Sequence, residues 1–231
     1  MSKKTLAIIP ARSGSKGVKD KNIKILNNKP LISYTIDTAK KCKFIDYVFV
    51  STDSKKYADI SKNFGANVPF LRSKKNSSDN SKSLDVIIEV LDNFKKQGMI
   101  FDIVILLQPT SPLRNVDDIV KSYNLFFEKK AKAVVSVNKI NHPPHWSNTL
   151  PNDLSMTNFI DVKHVNKTRQ GFSDYFSLNG AIFICKTSIL ESNLNIFKDG
   201  TFAYVMEKKN SIDIDSEFEF EIAELLIQKK N

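Results

Sequence analysis

The sequence predicts an α/β fold built on a doubly wound, mostly parallel sheet with helices on both faces. Three observations carry that expectation. Apolar runs alternate with helix-period segments from residue 5 to residue 137. The most apolar run, Ile103-Val104-Ile105-Leu106-Leu107, has no polar face, as a central strand covered on both sides requires. Arg12, Asp53, Arg72 and Gln108 fall at or just after the carboxyl ends of such runs, where sheets of this kind receive ligands.

In order, Thr5–Ala11 is the first strand, followed by a loop of small residues with Arg12, Gly14, Lys16 and Gly17. Pro30 opens a helix with Leu31, Ile32, Thr35, Ile36 and Ala39 on one face. Asp46–Ser51 is the second strand. Thr52-Asp53-Ser54 caps a helix through Tyr57, Ile60 and Phe64, which Gly65 closes. Val68–Leu71 reads as a short strand, and the polar stretch Ser73–Ser83 leads to a helix burying Leu84, Ile87, Ile88, Leu91 and Phe94. Asp102–Leu107, helix Val116–Glu128 and strand Ala133–Val137 follow. The alternation then breaks over 138–178, an excursion too long for an ordinary loop and expected to pack on something. Asn179–Cys185 and Thr201–Met206 are the last strands. Ser216 caps a final helix through Phe220, Ala223, Leu226 and Ile227, with Glu217 and Glu219 in its first turn. No linker divides residues 1–231, so a single domain with an insertion is expected.

The chain is 41% apolar and 10% aromatic, which excludes a disordered protein. Its net charge of +10 comes from lysines spread along the chain, while the phenylalanines lie inside apolar runs. That distribution favours small anionic ligands over nucleic acid. Cys42 and Cys185 lie far apart beside apolar residues, as buried reduced thiols in a cytoplasm do. Lys3-Lys4 precede only a six-residue apolar stretch, too short for a signal peptide, and no run reaches membrane-spanning length. A cytoplasmic protein with no membrane or nucleic-acid partner is the expectation.

Two constellations bear chemistry. The first loop offers backbone N–H groups and cations to a polyphosphate, although it is neither Gly-x-x-x-x-Gly-Lys-Ser/Thr nor Gly-x-Gly-x-x-Gly; a solvated basic turn is the alternative. Asp213 and Asp215 alternate with Ile212 and Ile214, so in extended chain both carboxylates point one way and suit a hard divalent cation; two solvated or capping aspartates are the alternative. Pro143 and Pro144 keep His142 and His145 from helical metal-ligand spacing, and Trp146 is read as a packing anchor.

Ile9-Pro10-Ala11-Arg12-Ser13-Gly14-Ser15-Lys16-Gly17 with Lys21-Asn22, then Ser51-Thr52-Asp53, Leu107-Gln108-Pro109-Thr110-Ser111-Pro112-Leu113-Arg114, Asn179-Gly180-Ala181-Ile182 and Ser211-Ile212-Asp213-Ile214-Asp215 resemble, in the same order, the motifs of acylneuraminate cytidylyltransferases, the CMP-sialic acid synthetases and their relatives. The resemblance implies a nucleotidyltransferase fold and transfer of CMP from CTP to the anomeric hydroxyl of a nine-carbon 2-keto sugar acid, releasing pyrophosphate. It places Arg12, Ser13, Gly14, Ser15, Lys16, Lys21, Asn22, Arg72 and Ser83 at the nucleotide. Arg12, Lys21 and Asp213 carry the catalysis. It places Gln108, Thr110, Ser111, Arg169 and Asn179 at the sugar, and Mg²⁺ on Asp213 and Asp215. Residues 138–178 become a dimerisation arm, with a homodimer implied and Arg169 reaching the partner's sugar carboxylate. The general base stays open between Asp213 and a hydroxide on the metal. Ser177 and Trp146 depart from the sialic-acid pattern, which leaves N-acetylneuraminate, legionaminate and other nonulosonates open. The alternatives are a same-fold enzyme for another sugar acid such as Kdo, and a basic nucleic-acid-binding protein, which would leave the paired aspartates unexplained.

Overall fold

The computed structural model describes residues 3–14, 17–191, 197 and 199–229. Its strands are β1 (Thr5–Pro10), β2 (Ile25–Leu26), β3 (Lys29–Pro30), β4 (Tyr47–Ser51), β5 (Ile103–Leu107), β6 (Ala133–Lys139), β7 (Phe176–Lys186) and β8 (Thr201–Met206). Its helices are α1 (Leu31–Lys40), α2 (Lys55–Asn63), α3 (Ser83–Lys96), α4 (Val116–Glu128), α5 (Val162–Val165), α6 (Thr187–Glu191) and α7 (Glu217–Gln228).

Six strands form one sheet in the order β4-β1-β5-β7-β6-β8, and β2 pairs with β3 in a separate hairpin. β1 runs parallel to β4 and β5, and β6 runs parallel to β8. β7 is antiparallel to both β5 and β6. The sheet is therefore mostly parallel, as expected, with one reversed strand inside it. The hairpin turns at Asn27 and Asn28, both at positive φ, the conformation its tight turn demands.

Alternation along the strands builds the two faces. Ala7, Ile9, Val50, Ile105 and Leu107 meet Ile32 and Ile36 of α1 and Ile119 and Phe126 of α4. Leu6, Ile8, Phe49, Val104 and Leu106 meet Ile87, Val90 and Phe94 of α3 on the opposite side. Leu26, Leu31 and Ile214 pack on Phe220 and Ala223 of α7, which ties the chain's last segment to the first loop's surroundings. Both cysteines are buried and free, and burial pushes the Cys42 thiol up to about 11 and that of Cys185 to about 12.

Some local expectations are corrected. Val68–Leu71 is not a strand: Asn67 makes one isolated bridge to Phe49, and the chain then turns away. α3 buries Val86 and Val90 more fully than Leu84, Ile88 and Leu91, because its core-facing stripe is rotated slightly from the one the spacing predicts. The Thr52-Asp53-Ser54 segment caps α2 as expected, with the Ser54 hydroxyl accepting from the Tyr57 amide. The excursion is shorter than 138–178, since β6 and β7 stay paired out to Lys139 and Phe176. Beyond that ladder the arm is ordered by an aromatic cluster. His145 stacks on His164 at 4.1 Å, Phe172 meets Trp146 at 5.6 Å, and His145 Nε2 lies 2.9 Å from the Tyr175 hydroxyl. Among the described residues no helix is long and apolar enough to cross a membrane.

Candidate active site

A cleft of about 380 Å³ opens at the carboxyl ends of β1 and β5, lined by Arg12, Gly17, Lys21, Asn22, Arg72, Ser83, Gln108, Thr110 and Asp215 among others. Residues far apart in sequence thus meet where a sheet of this topology receives a ligand.

Asp53 shapes the first loop. Its carboxylate accepts from the Ser13 amide and the Ser13 hydroxyl, both at 2.9 Å, while the Ala11 amide donates to the Ser51 carbonyl at 2.8 Å. The loop is thereby clamped to the end of β4 with the Arg12 side chain turned to the cleft. Asn22, 6% exposed, donates its amide to the Arg12 carbonyl at 3.1 Å, and its oxygen makes no hydrogen bond among the described residues. Arg72 is buried. Its Nε and Nη2 donate to the Ser51 hydroxyl (2.9 Å) and carbonyl (2.6 Å), and burial lowers its pKa to about 10, so it remains a cation at neutral pH. Gly14 is exposed on the loop. Ser15 and Lys16 lie outside the described residues.

The opposite wall is the extended segment before α7. The Ile214 amide donates to the Thr110 carbonyl at 2.9 Å. Lys21 Nζ donates to the Ile214 carbonyl at 2.6 Å and reaches Asp215 Oδ1 at 3.2 Å. A Cβ on Gly17 would fall on the Asp215 carbonyl oxygen, so only glycine lets the first loop approach so closely. Asp213 is largely buried, with Oδ1 lacking any hydrogen-bond partner. Burial first, with the neighbouring Asp215 adding to it, pushes its carboxyl above the ordinary carboxylate range. Among the described residues no three His, Cys, Asp or Glu side chains gather into a metal cluster, so the pair stands alone.

Gln108 lies between these walls. Its side chain sits under Gly180, where a Cβ would come within 2.8 Å of Oε1, and Gly180 has φ +68. Thr110 donates its hydroxyl to Gln108 Oε1 at 3.4 Å. Ser111 is 1% exposed and does not line the cleft, and its hydroxyl makes no hydrogen bond among the described residues. Asn179 differs from the expectation of a ligand group. It is 6% exposed; its oxygen accepts from Ser136 (2.5 Å) and the Ala181 amide (3.2 Å), and its nitrogen donates to Met206 Sδ (3.3 Å) and the Ser211 hydroxyl (3.1 Å). Its side chain is spent on joining β7 to β6, β8 and the segment that carries the aspartates. Arg169 does not meet the cleft. It lines a separate hollow on the arm with Lys139, Pro143 and Tyr175.

Sequence reasoning passed over two groups. Arg114 was part of a matched motif with no role of its own. Asp79 sits in an undifferentiated polar stretch, yet it meets Arg12 at the cleft at 2.6 Å.

Residues 6–197, most of the chain, match the family model described as cytidylyltransferase. The chain belongs to the cytidylyltransferase family. Among its curated relatives, an N-acylneuraminate cytidylyltransferase of Escherichia coli O18:K1:H7 (strain RS218 / NMEC) is 36% identical over 100% of this chain and 54% of that protein. The chain thus spans about half the length of that relative. A CMP-N,N'-diacetyllegionaminic acid synthase of Legionella pneumophila is 33% identical over 96% of each, and a pseudaminic acid cytidylyltransferase of Campylobacter jejuni is 30% identical over 96% of each. A solved CMP:2-keto-3-deoxy-manno-octonic acid synthetase complexed with CTP covers 99% of this chain and 100% of its own, with TM-score 0.72 and 16% identity. At that identity the likeness is one of fold.

Proposed function

We propose that this cytidylyltransferase transfers CMP from CTP to the anomeric hydroxyl of a nine-carbon 2-keto sugar acid. The observation that carries the reading is the convergence of Arg12, Lys21, Asn22, Arg72 and Gln108 on one cleft beside the Asp213–Asp215 segment. The relatives' names differ in the sugar and share the cytidylyl transfer, so the nucleotide half of the site is the common part.

In this reading the triphosphate lies along the first loop against Arg12 and Lys21. Asn22 presents its uncommitted amide oxygen to the cytosine edge, with Arg72 and Ser83 on the same side. Gln108, steadied by Thr110 and Gly180, stands between nucleotide and sugar. The sugar's anomeric hydroxyl attacks the α-phosphorus as the bond to the bridging oxygen breaks; pyrophosphate departs and the hydroxyl proton is lost to solvent. Catalysis in such a displacement is alignment plus charge stabilisation. Lys21, held by the Ile214 carbonyl and Asp215, keeps its cation beside the reacting phosphates.

Asp213 and Asp215 suit Mg²⁺. A buried carboxylate oxygen with no partner, on a group whose ionised form burial disfavours, is what a hard cation would satisfy. Such an ion, when bound, would offset negative charge on the phosphates.

The arm's exposed apolar groups, among them Leu154 (69%), Met156 (60%) and Val162 (85%), support packing against a second copy. Arg169, remote from its own cleft, would then bind the sugar carboxylate in the partner's. Arg169→Ala should raise the KM for the sugar acid at least about tenfold with that for CTP nearly constant, as loss of a charge-assisted pair predicts. Movement of the CTP value alone would refute the assignment. In this reading the reaction runs in the cytoplasm, where CTP is made, and feeds surface-glycan synthesis.

The test of the function is pyrophosphate release from CTP across N-acetylneuraminate, N,N'-diacetyllegionaminate, pseudaminate and Kdo. Turnover with at least one nine-carbon acid is expected. Turnover with Kdo alone would reassign the acceptor.

A further inference from the structure

Arg12 of the first loop and Asp79, both lining the cleft, meet at 2.6 Å. Asp79 belongs to the strap between Arg72 and α3. The strap is held at its base by Glu89, whose carboxylate accepts from the Ser73 amide (2.7 Å), the Ser73 hydroxyl (2.8 Å) and the Asn76 side chain. Its tip is fastened by the Ser78–Ser81 hydroxyl contact (2.9 Å) and by Ser81 donating to the Lys75 carbonyl (3.1 Å). Asp79 is thus presented to Arg12 by a strap with its own internal bonds. The pair is also accessible, with Arg12 and Asp79 side chains 31% and 40% exposed. An ion pair open to water exchanges partners readily and contributes little to stability.

We propose that Asp79 is a built-in counter-ion of Arg12 that competes with the substrate's polyphosphate, setting how tightly the cleft holds CTP and how readily it surrenders pyrophosphate. The inference rests on the nucleotide reading of the cleft given above. A guanidinium fork matches phosphate oxygens as well as it matches a carboxylate. An arriving polyphosphate must therefore displace Asp79 or tolerate a like charge a few ångströms away, which weakens its binding. In return Arg12 is held in the cleft before the nucleotide arrives. When pyrophosphate leaves, Asp79 takes the guanidinium back, and the product loses its best cation.

Calorimetric titration of pyrophosphate and of CTP into wild type, Asp79→Asn, Arg12→Ala and the double variant tests this. Asp79→Asn should bind pyrophosphate about three- to tenfold more tightly than wild type, and the gain should vanish in the Arg12→Ala background. Product inhibition by pyrophosphate should strengthen in parallel. Unchanged or weaker pyrophosphate binding by Asp79→Asn would overturn the inference, as would a gain that persists without Arg12, since that reports only general charge removal. Wild type that binds neither CTP nor pyrophosphate would instead overturn the nucleotide reading itself, and the inference with it.

Discussion

Asp213→Asn is expected to cut turnover by about a thousandfold or more while the protein stays folded, if Asp213 holds the Mg²⁺ proposed for it. The fold does not need the charge. Burial raises the Asp213 carboxyl above its ordinary range, which means that folding disfavours the ionised form. The sign follows. Ionised Asp213 lowers stability at pH values above its raised folded pKa, and this cost fades as pH falls through that pKa to below the unfolded value near 3.8. Asp213→Asn should therefore match or exceed the wild-type melting temperature at pH 7, with the difference shrinking toward pH 3. Added Mg²⁺ should raise the melting temperature of wild type and leave that of the variant nearly unmoved. Near-normal Mg²⁺-dependent activity in both Asp213→Asn and Asp215→Asn would remove the metal from these residues.

Arg114→Leu should be the most destabilising single change near the site, at about 3–5 kcal/mol by chemical denaturation. The guanidinium is 2% exposed and donates to the Gln108 carbonyl (3.1 Å), the Ala181 carbonyl (2.8 Å) and the Thr35 hydroxyl (2.7 Å). It joins the loop after β5 to β7 and α1 at once. Burial lowers its pKa to about 10, which leaves it charged at neutral pH. Leucine fills much of the space and removes three buried hydrogen bonds from a charged donor, each worth about 1–3 kcal/mol, although the Gln108 carbonyl keeps longer contacts of 3.4 Å from the Ser111 amide and the Thr35 hydroxyl. Arg114→Lys keeps the charge but cannot fork to three acceptors, so it should recover only part of the loss. A change below about 1 kcal/mol for Arg114→Leu would show that the site relaxes around the gap.

What was legible in the sequence follows from what residues encode locally. The Asp213–Asp215 segment drew notice because its alternation with Ile212 and Ile214 is a local pattern, yet the fold leaves Asp215 open at the cleft and buries an oxygen of Asp213. Val116–Glu128 emerged with its bounds because its apolar spacing ends at a cap, the reciprocal Asn115–Asp118 box. The direction of β7 was not visible, since Asn179–Cys185 is an apolar run in either polarity. Its reversal comes from the connection, which lets the chain double back along β6. Asn179 sits inside a recognisable motif, but only the three-dimensional count of its four hydrogen bonds reveals a brace in place of a ligand. Asp79 was invisible for another reason: in a stretch of Asp, Ser and Asn every residue suits solvent equally, and only the folded strap singles one out.

The reversal of β7 has one more consequence. A parallel crossover must carry its chain back the length of the sheet, whereas a hairpin connection has no set span. The segment from Ile140 to Tyr175 leaves and re-enters at the same end of the sheet, beside the cleft, and Ile140 still pairs with Tyr175 as it departs. Residues can be gained, lost or exchanged there without disturbing β1, β4 or β5, which carry the loops of the cleft. The molecule is in this sense modular, with a fixed cleft-bearing body and an arm hung on a two-stranded stalk.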